Sequence, residues 1–141
     1  MKIVILAVGK LKEPAYRSLA DEYLGRIRRY VSVEERELKN DAAFSGASSK
    51  YPLLVACEVQ GQAMSSPQFS RALESWGSEG KGEFCFLIGG AEGIPKAVSQ
   101  LARVKLSLSQ FTLPHRLARV LLYEQIYRGF SILRGEPYAR E

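Results

Sequence analysis

The chain has 141 residues, 46% of them hydrophobic, a length that allows one hydrophobic core but hardly two. We therefore expect a single globular domain over residues 1–141, which excludes a multi-domain enzyme. With 20 basic and 15 acidic side chains the formal net charge is +5, which favours a polyanionic partner without naming one.

The first elements are predicted to be a strand, a helix and a second strand. The apolar run at residues 2–8 predicts a buried strand, and because Lys10 and Lys12 follow it, the run is too short for a membrane span or a secretory signal. Pro14 is placed to open a helix, whose predicted apolar face is Leu19, Tyr23, Leu24 and Ile27. Residues 31–38 alternate apolar and charged side chains, as a half-exposed strand does. We expect no membrane association.

The middle of the chain predicts a loop, a strand and a helix. Residues 40–50 are rich in Ala, Ser and Gly without periodicity, which is typical of a loop. Residues 53–57 predict a buried strand, with a polar loop through Gly61 after it. A helix opens near Ser66-Pro67, with an apolar side formed by Phe69, Leu73 and Trp76, and it ends at Gly80 and Gly82.

The last elements complete an alternation of strands and helices. Residues 84–88 predict a buried strand, 95–101 a short helix, 104–108 a further strand and 114–133 a long helix. This order predicts an α/β fold with a mainly parallel sheet and helices on both faces. The last helix is apolar nearly all round, so we expect part of it to bury against a partner subunit; burial entirely within its own domain is the alternative.

Two loops near the carboxyl ends of predicted strands indicate a ligand site. One is Gly89-Gly90-Ala91-Glu92-Gly93, and the other is Ser109-Gln110-Phe111-Thr112-Leu113-Pro114. Small molecules bind outside the carboxyl ends of strands in open α/β sheets, so a nucleotide-like cofactor is the leading hypothesis. The glycines lack the spacing of known phosphate-binding loops. A tight turn and an ordinary helix start would select the same residues.

The remaining chemistry-bearing residues are few. Cys57 and Cys85 lie in separate predicted strands, which indicates reduced core residues of a cytosolic protein and not a metal pair. His115 is the only histidine, so we expect neither a metal site nor a Ser-His-Asp hydrolase. Residues 103–141 contain seven basic and three acidic side chains. This excess indicates a nucleic-acid partner only if the basic side chains share a surface. Tyr138 and Arg140 could stack on a base and pair with phosphate, or belong to a frayed tail.

Several segments of the chain carry a family resemblance. The segments that carry it are Val4 to Gly9, Glu22-Tyr23-Leu24, Leu87 to Gly93, Leu106 to Ser109, Thr112-Leu113-Pro114-His115, Tyr123 to Arg128 and Pro137-Tyr138-Ala139-Arg140-Glu141. In these segments the chain resembles, end to end, the RlmH family, the SPOUT-class methyltransferases that modify pseudouridine in large-subunit ribosomal RNA.

The resemblance implies a function as well as a fold. It implies a SPOUT fold with a deep C-terminal trefoil knot, whereas the pattern of elements alone predicts an unknotted sheet. It also implies a cytoplasmic homodimer with shared active sites that uses S-adenosylmethionine to methylate N3 of pseudouridine in the ribosome. The implied cofactor contacts are Cys57, Gly89, Ser109, Gln110, Phe111, Thr112, Leu113 and Pro114. The implied catalytic residues are His115, which can handle a proton, with Tyr138 and Arg140; Arg119 and Arg128 could assist, although Glu124 is spaced to pair with Arg128.

Two departures from the family pattern bear on these expectations. Ala139 stands where the family usually has a histidine, which questions how substrate is handled and favours a non-catalytic ribosome-binding module as the alternative function. An enzyme acting on a small nucleotide is a third hypothesis. The connection at residues 40–50 is shorter than usual for the family, which should affect the periphery more than the chemistry.

Overall fold

The computed structural model describes all 141 residues and contains one five-stranded sheet. The strands are β1 (Lys2–Val8), β2 (Ser32–Leu38), β3 (Leu54–Ala63), β4 (Glu83–Ile88) and β5 (Val104–Ser107). The helices are α1 (Pro14–Ile27), α2 (Ala43–Ser48), α3 (Ser66–Glu79), α4 (Lys96–Ser99) and α5 (His115–Leu133), with a 3-10 turn at Pro137–Arg140. The strand order is β2-β1-β4-β3-β5 and every neighbouring pair is parallel, so all carboxyl ends lie at one edge of the sheet.

Helices cover both faces of the sheet, which confirms the predicted α/β architecture. Side chains alternate along β1, so that Ile3 and Ile5 face one core and Val4 and Leu6 face the other. The larger core packs α1, α3 and α5 on the sheet. The smaller core holds Phe44 of α2 and the short helix α4. Strands buried on both faces explain the near-continuous apolar runs of β1 and β4.

Local signals fix the starts of two helices. Pro14 and Pro67 each lie in a first helical turn, where the missing N–H costs no hydrogen bond. Ser65 and Gln68 form a reciprocal capping box at the start of α3. The predicted apolar face of α3 is confirmed. That of α1 is wrong at Leu19, which is exposed, because Ala20 takes the inward position beside Leu24 and Ile27.

Two predictions for the middle of the chain are wrong. Residues 40–50 contain α2, because burial of Phe44 and Ala47 on one side stabilises a helix that the Ala/Ser/Gly composition does not reveal. The polar segment after Cys57 belongs to β3, which continues to Ala63 after a shift in its register with β5 between Cys57 and Gln62. Gly61 permits the resumed pairing, since a Cβ there would lie 2.7 Å from the nitrogen of Leu106.

The long helix α5 is covered mainly by its own chain. Leu122, Tyr123 and Ile126 are fully buried, and α5 packs against both α1 and α3. Leu117, 39% exposed, is the large apolar side chain of this helix that remains open. The apolar surface of α5 left for a partner subunit is therefore smaller than the sequence predicted, and the homodimer stays a prediction. No helix of the protein is both long and apolar enough to span a membrane.

Candidate active site

A cavity of about 340 Å³ opens at the carboxyl edge of the sheet, beside the irregular middle stretch of β3, where β4 and β5 end and α5 begins. Such a volume lies at the lower end of the range for small-molecule sites. Its walls come from four short segments of the chain. The lining residues are Cys57, Glu58, Val59, Gln60, Ile88, Gly89, Gly90, Glu92, Gly93, Ile94, Leu108, Ser109, Phe111, Leu113, His115 and Ala118.

The glycine segment after β4 forms one wall from its backbone. The N–H of Gly93 donates to the carbonyl of Gly90 at 3.0 Å, and Gly93 has a φ of +78°, which closes a tight turn. A Cβ on Gly89 would lie 2.7 Å from the nitrogen of Ile94. The sequence offered a tight turn and a ligand site as alternative reasons for these glycines. Both apply, because the turn requires the glycines and the turn lines the cavity.

The segment between β5 and α5 forms the opposite wall. The hydroxyl of Ser107 donates to the carbonyl of Ser109 at 3.1 Å, and the N–H of Phe111 donates to the Ser109 hydroxyl at 2.9 Å. These bonds shape the loop so that Ser109, Phe111 and Leu113 line the cavity. The ring of Phe111 is 83% exposed and is thus free to contact a ligand.

Two further predicted site residues, Cys57 and His115, line the cavity. Burial raises the pKa of the Cys57 thiol to about 12, so this side chain is neutral at physiological pH and can pack on a ligand without acting as a nucleophile. His115, half-buried, occupies the first turn of α5 at the cavity wall. No three His, Cys, Asp or Glu side chains of the protein come together as a metal site.

Five other predicted site residues lie outside the cavity lining. Three of them, Gln110, Thr112 and Pro114, belong to the second loop but do not contribute to the wall. Pro114 instead caps α5, where its carbonyl accepts the N–H of Ala118. The other two are Tyr138 and Arg140, in the C-terminal 3-10 turn.

The C-terminal tail is ordered against α1 and α5, so the frayed-tail alternative is wrong. The hydroxyl of Tyr138 donates to Glu124 at 2.7 Å and lies 3.1 Å from that of Tyr23. Its ring packs on Tyr127 with 4.6 Å between ring centroids. Arg128 binds the same Glu124 carboxylate, which confirms the predicted pair. Arg140, in this tail, is exposed and does not line the cavity of its own chain.

The basic residues of the C-terminal third do not form one free cationic surface. Four of the seven pair with acidic side chains of the same chain: Arg103 with Glu79, Arg116 with Glu13, Arg119 with Glu35 and Glu37, and Arg128 with Glu124. Arg119 is almost completely buried, so its suggested role in holding substrate is not supported. Lys105, Arg134 and Arg140 are the basic residues of this segment without an ion pair, and contact of the segment with nucleic acid stays a prediction.

Comparison with known proteins places the chain in a family. A family model described as a predicted SPOUT methyltransferase matches residues 1–139. The chain belongs to the SPOUT methyltransferase family. Its relatives include the ribosomal RNA large subunit methyltransferase H of Sorangium cellulosum, 48% identical with 99% of each chain covered. The protein of the same name from Acetivibrio thermocellus is 39% identical, with 99% of this chain and 100% of that one covered.

Solved structures support the SPOUT methyltransferase fold. A probable methylase family protein from Haemophilus influenzae Rd KW20 aligns with a TM-score of 0.61 at 10% identity, over 95% of this chain and 67% of that one. TrmJ from Z. mobilis aligns with a TM-score of 0.57 at 13% identity, over 92% and 70% of the two chains. These identities show the fold alone. The predicted family and fold class are confirmed, while the trefoil knot stays a prediction.

Sequence reasoning missed part of the cavity of this SPOUT methyltransferase. Glu58, Val59 and Gln60 line it from the irregular stretch of β3, and Ala118 lines it from α5. The available signal was their position just after Cys57, at the carboxyl end of a parallel strand. The lining contains Glu58 and Glu92 but no lysine or arginine, so the cavity suits a cationic ligand better than a phosphate-bearing one.

Proposed function

We propose that this SPOUT methyltransferase uses S-adenosylmethionine to methylate N3 of pseudouridine in large-subunit ribosomal RNA, acting on the ribosome as a cytoplasmic homodimer. The observation that carries the proposal is the cavity beside the middle of β3 and the ends of β4 and β5, with its glycine wall and its two carboxylates. The full-length relatives named ribosomal RNA large subunit methyltransferase H support the RNA substrate.

The residues present fit the proposed cofactor. S-Adenosylmethionine, when bound, supplies a methyl group already activated as a sulfonium. Glu58 and Glu92 provide negative charge for a ligand that carries positive charge, and no basic side chain except His115 lines the wall to oppose it. The apolar side chains of Ile88, Leu108 and Leu113 can cover an aromatic ring. The predicted contacts at Cys57, Gly89, Ser109 and Phe111 all lie on this wall.

The side chains of the protein would then orient the base and manage its proton. Methyl transfer needs the acceptor nitrogen in line with the activated methyl, so the cavity walls must hold both in one geometry. Pseudouridine N3 carries an imino proton, and His115 is the group at the cavity that we assign to accept it. Tyr138 and Arg140 can contribute to substrate binding only at the cavity of a second copy, because they lie off their own.

Methyl transfer to ribosomes that lack this modification tests the proposal. Purified protein, labelled S-adenosylmethionine and these ribosomes should yield N3-methylpseudouridine on nucleoside mass spectrometry. A His115→Asn variant should lower kcat for transfer while its affinity for S-adenosylmethionine stays within about threefold of wild type, an energy difference below about 0.7 kcal/mol. Ala139→His restores the histidine that the family usually has at this position, so its rate of transfer, compared with that of wild type, shows whether the alanine affects catalysis. Demonstrated cofactor binding without any transfer would contradict the proposal and favour a non-catalytic ribosome-binding module.

A further inference from the structure

We propose that three lysines beside the cavity, Lys10, Lys12 and Lys39, bind the phosphates of the RNA substrate; we call them the lysine rim. The inference rests on the proposed function, because it says where the RNA backbone lies while its base enters the cavity. All three side chains are exposed, and none forms an ion pair within the protein.

The sheet topology places the lysine rim at the same edge as the cavity. Lys10 and Lys12 follow β1, and Lys39 follows β2, its parallel neighbour. The N–H of Gly9 donates to the carbonyl of Leu38 at 2.8 Å, which joins the two segments directly. On the other side of β1, a Cβ on the cavity residue Gly90 would lie only 3.3 Å from Val8. The rim therefore continues from the cavity mouth across the ends of β1 and β2.

Hydrogen bonds with the side chains of Arg119 and Glu37 fix the backbone around Lys10 and Lys12. The buried guanidinium of Arg119 donates to the carbonyl of Gly9 at 3.0 Å. The carboxylate of Glu37 accepts the N–H of Leu11 at 3.1 Å, and the Leu11 side chain is buried. Two exposed lysines thus flank an anchored residue, so little backbone entropy is lost when they bind a partner.

The charges around the lysine rim leave it positive. Of the neighbouring carboxylates, Glu13 pairs with Arg116 at 2.6 Å, and Glu37 pairs with Arg17 and Arg119. Asp41, two residues after Lys39, forms no ion pair, whereas the unpaired Glu58 and Glu92 belong to the cavity wall, which none of the three lysines lines. The rim therefore attracts anions at a place where the protein has not neutralised its own charge.

An RNA backbone is the anion that fits this position. The cavity wall holds two carboxylates and no lysine or arginine, so it cannot itself bind the phosphates that accompany a substrate nucleotide. S-Adenosylmethionine carries no phosphate, so the cofactor does not account for the lysines. Phosphate contacts from lysines position a nucleic acid without reading its sequence, which suits a rim next to a site that must select one base.

The test compares two variants with the same change of charge. One carries Lys10→Gln, Lys12→Gln and Lys39→Gln; the control carries Lys50→Gln, Arg71→Gln and Lys81→Gln, three exposed residues without ion pairs that lie away from this edge. Filter binding to protein-free large-subunit ribosomal RNA, and methyl transfer to ribosomes, are measured as functions of KCl concentration. Calorimetry with S-adenosylmethionine and thermal unfolding check the cofactor site and the fold.

Replacing the three lysines should weaken RNA binding without altering cofactor binding or the fold. We expect the rim variant to bind RNA at least about tenfold more weakly at 0.15 M salt, and the slope of log K against log salt to fall by about 2 to 3, since each lost phosphate contact removes roughly 0.7–0.9. KM for ribosomes should rise, with cofactor affinity and melting temperature unchanged. An unchanged slope, an equal loss in the control variant, or a loss on ribosomes but not on free RNA would overturn the inference. Failure of wild type to methylate would reject the proposed function instead, and the binding data would still test the rim.

Discussion

The guanidinium of Arg119 lies buried in α5 and is bound by groups from two other parts of the chain and from its own helix. It pairs with Glu35 and Glu37 of β2, it bonds the carbonyl of Gly9 after β1, and it lies 3.3 Å from the Tyr123 hydroxyl one turn further along α5. Ala118, its neighbour in sequence, lines the cavity. Arg119 therefore fixes the start of α5, with His115, against the sheet edge.

Removing this guanidinium should be costly. Arg119→Met leaves the carboxylates of Glu35 and Glu37 partly buried with fewer partners, and breaking a buried ion pair in this way costs about 3–5 kcal/mol. Urea unfolding measures the change. Arg71→Met, at an exposed position without an ion pair, should change the free energy of unfolding by no more than about 0.5 kcal/mol. A loss below about 1 kcal/mol for Arg119→Met would show that the cluster is dispensable for stability.

Residues that line the cavity were easier to predict from the sequence than the ion-pair partners of charged side chains. Gly89 and Ser109 could be placed at one site because the carboxyl ends of parallel strands lie at one edge of the sheet, whereas Cys57 and His115 were expected there only through the family resemblance. The role of Arg119 could not be predicted, since its carboxylate partners come from a strand more than 80 residues earlier in the chain. Spacing reveals neighbours on one helix, such as Glu124 and Arg128, but not contacts between distant elements.

At the scale of elements, aromatic residues tie the end of the chain to α1. The hydroxyl of Tyr30, just after α1, donates to Glu136 at 2.7 Å, and its ring stacks on Phe130 of α5 with 5.6 Å between centroids. Tyr23 and Tyr138 form a second contact between α1 and the tail. The position of the C-terminal residues thus depends on tyrosines that remain protonated.

These contacts predict a loss of stability at alkaline pH. Burial, with the hydrogen bond to Glu136, raises the pKa of Tyr30 to about 12, against about 10 for an unfolded tyrosine. The unfolded chain then releases its proton first, so the contribution of Tyr30 is fully present below pH 10 and is lost as the pH rises to about 12. Burial also raises the pKa of Tyr123 and Tyr138, which adds to the effect.

Urea unfolding between pH 9 and 11.5 measures this loss. The free energy of unfolding of wild type should fall across the range, and that of Tyr30→Phe should fall less steeply, because one of the contributing groups is gone; the buried thiols of Cys57 and Cys85 contribute equally in both proteins. Comparison of both proteins at pH 7 accounts for the cost of the lost hydroxyl. Equal slopes for the two proteins would contradict the assigned role of Tyr30.

Most elements could be predicted from periodicity, and those that could not are stabilised by tertiary contacts. The apolar runs of β1 and β4 and the stripe on α3 are strong local patterns. Helix α2 has only six residues, and its stability comes from burial of Phe44 and Ala47. The second half of β3 is polar, and it is a strand because β5 pairs with it after the register shift. Neither fact is present in local sequence.

At the scale of the whole molecule, opposite charges occupy neighbouring parts of one sheet edge. The cavity beside the middle of β3 and the ends of β4 and β5 contains Glu58 and Glu92, whereas the ends of β1 and β2 carry the lysine rim. This separation suits an enzyme that holds a cationic cofactor beside a polyanionic substrate. The strand order β2-β1-β4-β3-β5 creates the separation, and composition could not have predicted it, because the net charge of +5 says nothing about where the charges lie.

The central claim is that the cavity holds S-adenosylmethionine against the glycine wall, and calorimetric titration of the cofactor tests it most directly. In Gly89→Ala the new methyl group would lie 2.7 Å from the nitrogen of Ile94, so the wall must shift; in the control Gly25→Ala, in α1 and outside the cavity lining, it meets no atom within 4 Å. We expect wild type to bind, Gly89→Ala to bind at least about tenfold more weakly, a loss of about 1.4 kcal/mol or more, and Gly25→Ala to stay within about threefold of wild type. Absence of binding by wild type, or wild-type affinity in a folded Gly89→Ala variant, would contradict the claim.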